Sequence, residues 1–394
     1  MTDSAGRADG APSASAPREA TLATPASSYA AGAPAAAAHG PGLAELRRRY
    51  ARAYAPRPWI YWLDLTASAA VGWGAFALAV TAPPLSPGQL VALAVATLAL
   101  LRGSIFIHEL AHLRRRAVPG FELAWHALIG LPLMLPALMY GSHGEHHRSA
   151  VFGTPLDPEY VPLARWGRVR LVAFVLTVAF VPPLLALRWG VLGPISWLVP
   201  PLRRLLVRSA STLVINPEYQ RPMPKGPEAR RWAIQEAAAC ATFWLAAALV
   251  ATDRLPLAWL LQWWALGAGI LVLNQVRTLA AHGYANDGGA PVSDLGQLLD
   301  SINLRGRLLT TLAAPLGMRF HALHHFLPTV PYHALGALHR ELVATLPSRA
   351  PYRRVERAGI VTAVADLLRG RGGAAGPEGR GGIDLSADPA AGEA

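Results

Sequence analysis

The chain has 394 residues, 53% of them hydrophobic and 15% charged, with a mean hydropathy of +0.29; soluble domains carry about 25% charged residues, so this balance indicates an integral membrane protein. The net charge of +12 rests on arginine, Lys225 being the only lysine, and the arginines stand in short runs beside apolar segments, as in cytoplasmic loops, which argues against a nucleic-acid partner. A single cysteine, Cys240, excludes an intramolecular disulfide and a thiolate metal site.

Residues 1–40 are rich in Ala, Ser, Pro, Gly and Thr and lack the apolar core of a secretory signal, which predicts a disordered tail. Residues 59–82 and 89–107 are each long enough to span, a crossing needing about 20 residues. They are joined by Pro83-Pro84-Leu85-Ser86-Pro87, which carries no charge. Arginines 47, 48, 49, 52 and 57 precede this pair and Arg114-Arg115-Arg116 follow it, so both outer ends are expected on the cytoplasmic side. Two apolar stretches interrupted by proline come next: 121–140, with Pro132 and Pro136, and 171–202, with Pro182, Pro183 and Pro194. A single crossing by either would carry its flanking histidines or arginines to the wrong side, so both are predicted to be interfacial or re-entrant hairpins. A second spanning pair is 232–252 and 257–279, with Arg230 and Arg231 before it and Arg277 at its far end. The expected architecture is an all-α integral membrane protein, with four transmembrane helices in two hairpins. One domain is expected over 41–355, followed by a segment over 356–394 that ends in a Gly/Ala-rich tail from about Gly370.

Nine of the thirteen histidines fall into a pattern. His108 and His112 end the second span, His143, His146 and His147 follow the first proline-containing stretch, His282 ends the fourth span, and His321, His324 and His325 lie beyond it. On a helix, positions three and four apart share a face, so each cluster can aim two or three imidazoles at one point. Together they can hold two divalent metals on the cytoplasmic side, though imidazole suits Zn, Cu, Fe and Ni alike. His39 has no functional reading, and His126, His333 and His339 read as structural or as supports behind the ligands. His108-Glu109-Leu110-Ala111-His112 also matches H-E-x-x-H, the zinc protease motif. Such a site needs one further ligand and leaves the later clusters unexplained; Asp287-Gly288 does not stand in the proline-containing frame expected of an intramembrane protease.

The order H-x(3–4)-H, H-x(2–3)-H-H, H/Q-x(2–3)-H-H resembles the signature of the membrane-bound fatty acid desaturase superfamily. The resemblance covers roughly residues 45–355 and includes Ala280-Ala281-His282, which is similar to the extra ligand histidine of the stearoyl-CoA desaturases, and the run from His321 to His333. It implies four spans and a cytosolic helical cap holding a di-iron centre, with the nine histidines as ligands and O2 as co-substrate. It further implies a fatty-acyl or other long-chain lipid substrate and a separate ferredoxin-like electron donor with its reductase, because no His-Pro-Gly-Gly haem motif is fused to the chain. The implied location is a bacterial inner membrane, with both termini and the histidine clusters cytoplasmic. Two departures stand out: Thr278 occupies the position where the stearoyl-CoA subgroup has a metal-supporting asparagine, and the first cluster has three intervening residues instead of four.

The expected reaction is lipid desaturation, with hydroxylation or ketolation of a fatty acid, sphingolipid, alkane or carotenoid as the alternative within the superfamily. A zinc protease and a non-catalytic membrane scaffold are the alternatives from outside it. Glu109 and Glu145 are expected to orient ligand imidazoles, or else to be solvated or arginine-paired acids. Trp125 is a candidate wall of an acyl tunnel, although tryptophan is also common at membrane interfaces. Asn303, in Asp300-Ser301-Ile302-Asn303, is a candidate contact for a substrate head group, or part of a turn or helix cap.

Overall fold

The computed structural model describes residues 48–50 and 54–371, apart from 115, 214, 287–289 and 349. The predicted tail over 1–40, most of the predicted C-terminal tail, His39 and Asp287-Gly288 lie outside these residues.

The first hairpin pairs α1 (Pro58–Thr81) with α2 (Pro87–His112). Each begins with proline in its first turn, where no backbone N–H is needed. Ser86 caps α2 by accepting a hydrogen bond from the Gln89 N–H at 3.2 Å. The Gln89 side chain closes the turn, accepting from the Leu85 N–H at 2.8 Å and donating to the Ala79 carbonyl at 3.1 Å. Small residues line the contact: Gly72 faces Leu100, whose side chain fills the place of a Cβ, and close backbone approach of this kind is how helices associate in lipid. Outward positions such as Trp59, Leu63, Val71, Leu78 and Val91 are exposed and apolar, as lipid contact requires. α2 runs five residues beyond the predicted end of its span, so the first histidine pair sits on its last turns.

Residues 121–140 break up as predicted: α3 (Phe121–Trp125), a π turn over His126–Gly130 and a 3-10 turn over Ala137–Tyr140. α4 (His143–His146) follows as a single turn.

The next stretch departs from the expected hairpin. Residues Arg168–Leu198 form one helical run of 31 residues, the fifth among the described residues that is long and apolar enough to cross a membrane. It comprises α5 (Arg168–Thr177), α6 (Val181–Leu187) and α7 (Gly193–Leu198), joined by a 3-10 turn at Val178–Phe180 and a π turn at Arg188–Leu192. The prolines do not reverse the chain because they fall in the first turns of α6 and α7. The adjacent 3-10 and π turns absorb the missing hydrogen bonds. The run then crosses the second hairpin. The Ala179 carbonyl accepts a hydrogen bond from Trp264 at 2.9 Å, Pro182 faces Gly267, and Gly190 and Gly193 face Phe243 and Cys240.

α8 (Pro200–Ser209) leads back to the site, where the Leu213 N–H donates to the Met139 carbonyl at 2.7 Å. The second hairpin is α9 (Gly226–Ala251) and α10 (Leu257–Leu279), close to the predicted spans. The cap follows as α11 (Asp294–Asp300), β1 (Asn303–Leu304), α12 (Leu308–Ala313), α13 (His321–Phe326), α14 (Tyr332–Thr345), α15 (Pro351–Arg354), β2 (Glu356–Arg357) and α16 (Ile360–Leu368). β1 and β2 pair in parallel, Asn303 with Glu356 and Leu304 with Arg357. The folded region therefore runs past the boundary expected at 355: Ile360 and Ala363 belong to the same core as Leu101 and Ile270. Tyr332 joins the cap to the membrane helices by donating to Asp64 at 3.0 Å; the same carboxylate pairs with Arg102 Nε at 2.6 Å.

Candidate metal centre

The nine predicted histidines converge, but they do so at two points. His108, His112, His143, His147 and His324 form one group, and His146, His282, His321 and His325 the other; within each, one nitrogen per residue lies within 4.8 Å of all the others. The pairs four apart, 108/112, 143/147 and 321/325, each stay together, while His146 and His324 point to the opposite group, so the second and third clusters each serve both points. In the first group His143 Nε2 lies 2.9 Å from His147 Nε2, and His147 Nε2 3.1 Å from His324 Nε2. In the second, His282 Nε2 lies 3.2 Å from His146 Nε2 and 3.0 Å from His321 Nε2, with His325 Nε2 3.1 Å from His321 Nε2.

The outward nitrogens are held by partners the sequence reading did not single out. His146 Nδ1 lies 2.9 and 3.0 Å from the two oxygens of Asp157. His143 Nδ1 lies 2.7 Å from Glu159 Oε1, whose second oxygen accepts from the Tyr140 hydroxyl at 2.8 Å. His325 Nδ1 is 3.0 Å from the Gln297 amide and His282 Nδ1 is 3.2 Å from the Ser301 hydroxyl. Asp157 is fully buried and also accepts from the backbone N–H groups of Gly153 and Glu159, each at 2.8 Å. Backbone donors thus fix the carboxylate that fixes the imidazole.

The electrostatics suit a cation. Burial, then neighbouring imidazoles, push His147 and His325 well below the ordinary histidine range, leaving neutral rings. For His282 and His321 the Arg277 charge adds to the same effect. His146 goes the other way: burial opposes its charge, but Asp157, Glu159 and Asp300 outweigh it. Burial likewise raises the Glu159 carboxyl, yet His143, His146 and the Tyr140 hydrogen bond hold it down at about 2. Both ring nitrogens of His108 and Nε2 of His112 are buried without a hydrogen-bond partner. Such orphans are rare in folded proteins, and a divalent cation inside the five-histidine group would complete one nitrogen of each ring. The donor set fits two metals of the imidazole-binding type.

The expected supporting residues lie elsewhere. Glu109 accepts from the Tyr61 hydroxyl at 2.7 Å and Glu145 from the Tyr219 hydroxyl at 3.0 Å, so neither carboxylate bonds an imidazole among the described residues. The Thr278 hydroxyl donates to the Asn274 carbonyl at 3.0 Å within its own helix. Trp125 is fully buried in the core and donates to the Gly103 carbonyl at 2.9 Å; it is not among the residues lining the cavity at the centre. Asn303 is fully buried and accepts from the Leu323 N–H at 3.2 Å, bracing α13. His126, His333 and His339 are structural: His126 Nε2 accepts from the Ala137 N–H at 3.1 Å, His333 from that of Arg57 at 3.1 Å, and His339 lies 2.8 Å from the Tyr352 hydroxyl.

A cavity of about 180 Å³ opens onto both groups, touching His108 on one side and His146, His282 and His321 on the other. Its walls are Leu101 and Ile105 of α2, Ile270 and Leu271 of α10, and Val178 and Val181 of the crossing helix. The fifth apolar helix thus contributes to the site.

The model of the family described as fatty acid desaturase matches residues 84–356. The chain is also similar to the ceramide hydroxylase of Caulobacter vibrioides (strain NA1000 / CB15N), 42% identical over 316 residues that cover 80% of this chain and 89% of that protein. Because the family match runs from the first hairpin turn into β2, both histidine groups fall inside it, and the chain belongs to the membrane fatty acid desaturase and hydroxylase superfamily.

Proposed function

We propose that this protein is an oxygen-dependent di-iron hydroxylase of a long-chain lipid of the ceramide type, with the nine histidines as ligands. The observation that carries the reading is the apolar cavity that reaches both histidine groups. A lipid chain lying in it brings one methylene to the centre while the polar end stays toward water. The similarity to a ceramide hydroxylase over most of both chains favours oxygen insertion over the double bond expected from the three-cluster pattern. Desaturation stays as the second reading because the matching family is the fatty acid desaturases.

Bound iron supplies the activation of O2 that attack on an unactivated C–H bond needs. The chain's own residues do the rest. Asp157 and Glu159 hold His146 and His143 in fixed tautomer and orientation. Leu101, Ile105 and Ile270 exclude water and restrict the acyl chain, and such positioning is worth several kcal/mol of barrier. The electrons come from a separate soluble carrier of the ferredoxin type with its reductase. In this reading the histidine clusters face the cytoplasm at a bacterial inner membrane, as the arginine runs beside the two hairpins lead one to expect, and that face gives the carrier access.

The test is product analysis with the purified, iron-loaded protein, dihydroceramide, O2 and a ferredoxin reducing system. Gain of one oxygen atom supports hydroxylation; loss of two hydrogens supports desaturation. About one zinc in place of iron, with peptide cleavage that needs no oxygen, would overturn both.

A further inference from the structure

Among the described residues, Arg277 is hydrogen-bonded to none of the nine histidines. It lies in the last turn of α10, 9% exposed, on the wall of the cavity shared by His282 and His321. Its Nε donates to Asn274 Oδ1 at 3.0 Å. Among the described residues no carboxylate pairs with the guanidinium: Glu159, on the same cavity, is engaged by His143 and Tyr140. The remaining guanidinium nitrogens make no hydrogen bond, yet they are absent from the sealed, unpartnered atoms, so they face open space. Gln275 is similar: it is buried, lines the same cavity, and its amide bonds to no described residue. An arginine in a last helical turn does complement the helix dipole, but a solvated one would serve as well. Burying a cation without a counter-ion is costly, and the guanidinium fork is built to present several donors to one oxygen-bearing group. Leu101 and Ile105 of α2, which line the same cavity, offer a polar ligand nothing.

We propose that Arg277, with Gln275, holds an oxygen acceptor of the substrate a few bonds from the reacting carbon, and so selects which carbon faces the histidine centre. This rests on the lipid reading above. The acceptor is either the amide or hydroxyl oxygen of a ceramide-type lipid or the carboxylate of a free fatty acid. In both cases Arg277 is a specificity-determining residue, and oxidation is confined to carbons near the polar end.

The experiment uses the iron-loaded full chain, wild type, Arg277→Gln, Arg277→Lys and Gln275→Leu. Substrates are dihydroceramide, a free fatty acid and an alkane of matched length, and the readouts are KM, kcat, position of oxidation and iron content. Wild type should prefer an oxygen-bearing lipid to the alkane and oxidise a single position; which of the two lipids it prefers identifies the acceptor. Arg277→Gln should raise KM for that lipid about tenfold or more, collapse its preference over the alkane and scatter the product along the chain. Arg277→Lys should retain part of the positional control. Wild-type KM and a single product position in Arg277→Gln, at full iron content, would overturn the proposal, as would a wild type that prefers the alkane. Loss of kcat and iron with unchanged product position would overturn it too, marking a structural role. Should Arg277→Gln fail to fold, Arg277→Lys and Gln275→Leu are read by the same criteria. A wild type that forms only double bonds ends the hydroxylase reading, while the position of those bonds still tests Arg277.

Discussion

Asp157 and Glu159, separated only by Pro158, hold two histidines of the same cluster for opposite groups of the centre: Asp157 binds His146 of the four-histidine group, and Glu159 binds His143 of the five-histidine group. One short turn thus orients a ligand on each side. Replacing Asp157 by Asn keeps the shape but removes the charge and one acceptor, and should lower metal affinity by about 10–100-fold at the four-histidine group. Glu159→Gln should do the same at the five-histidine group. Iron titration of the two variants checks this, and equal weakening of both irons by either change would refute the division.

The same division predicts stoichiometry. His282→Ala removes one of four ligands from one group and none from the other, so iron should fall from about two per chain to about one. His112→Ala leaves four histidines in its group and should weaken binding there with less loss of content. Both should abolish lipid product. Elemental analysis beside product assay separates the two effects.

Gly317 turns the chain just ahead of the third cluster with φ +72°, and an added Cβ would stand 2.8 Å from Leu335 Cδ1 and 3.0 Å from the Tyr332 carbonyl oxygen. Gly317→Ala therefore combines a left-handed backbone with a clash, at a cost of about 1–3 kcal/mol. The expected outcome is a lower melting temperature in detergent together with weaker iron retention, because His321 follows four residues later. A variant as stable as wild type would contradict the geometry.

The acid limit of the cap is expected to involve His339. Burial, then the charges of Arg319, Arg340 and Arg353, lower its pKa from 6.5 to about 4. Below pH 6.5 the unfolded chain takes up a proton that the folded cap refuses. The stability present above 6.5 is therefore lost progressively as pH falls toward 4. His339→Gln should flatten the pH dependence in that window and leave it unchanged above 7. Denaturant unfolding of wild type and variant from pH 4 to 8 measures the difference, and parallel curves would dismiss the assignment.

The nine histidines were legible in the sequence because ligand spacing on a helix is local: His108 and His112, or His321 and His325, need only four intervening steps of one helix to share a face. Their division into five and four was not, because it depends on how α2, α4 and α13 meet. Glu109 and Glu145 were attractive for their closeness in sequence, but they accept from the Tyr61 and Tyr219 hydroxyls instead. The carboxylates that do hold imidazoles stand ten or more residues downstream, in Asp157-Pro158-Glu159. An acid-Pro-acid triplet shortly after the second cluster was the available signal. The two hairpins were readable from apolar length and arginine placement. The helix over Arg168–Leu198 was obscured by three prolines that read as breaks and act as first-turn residues.

The pairing of Asn303 and Leu304 with Glu356 and Arg357 has a consequence for biosynthesis. Asn303 steadies α13 through the Leu323 N–H, and its own N–H is held by the Val355 carbonyl at 2.8 Å. The brace of the third cluster is thus supplied by residues translated some thirty positions after its last histidine. While the ribosome is still adding those residues, both hairpins can already lie in the bilayer, yet the ligand cage stays open on one side. Closure of the cage is therefore expected late in synthesis, and a chain cut short before residue 356 is expected to hold metal weakly.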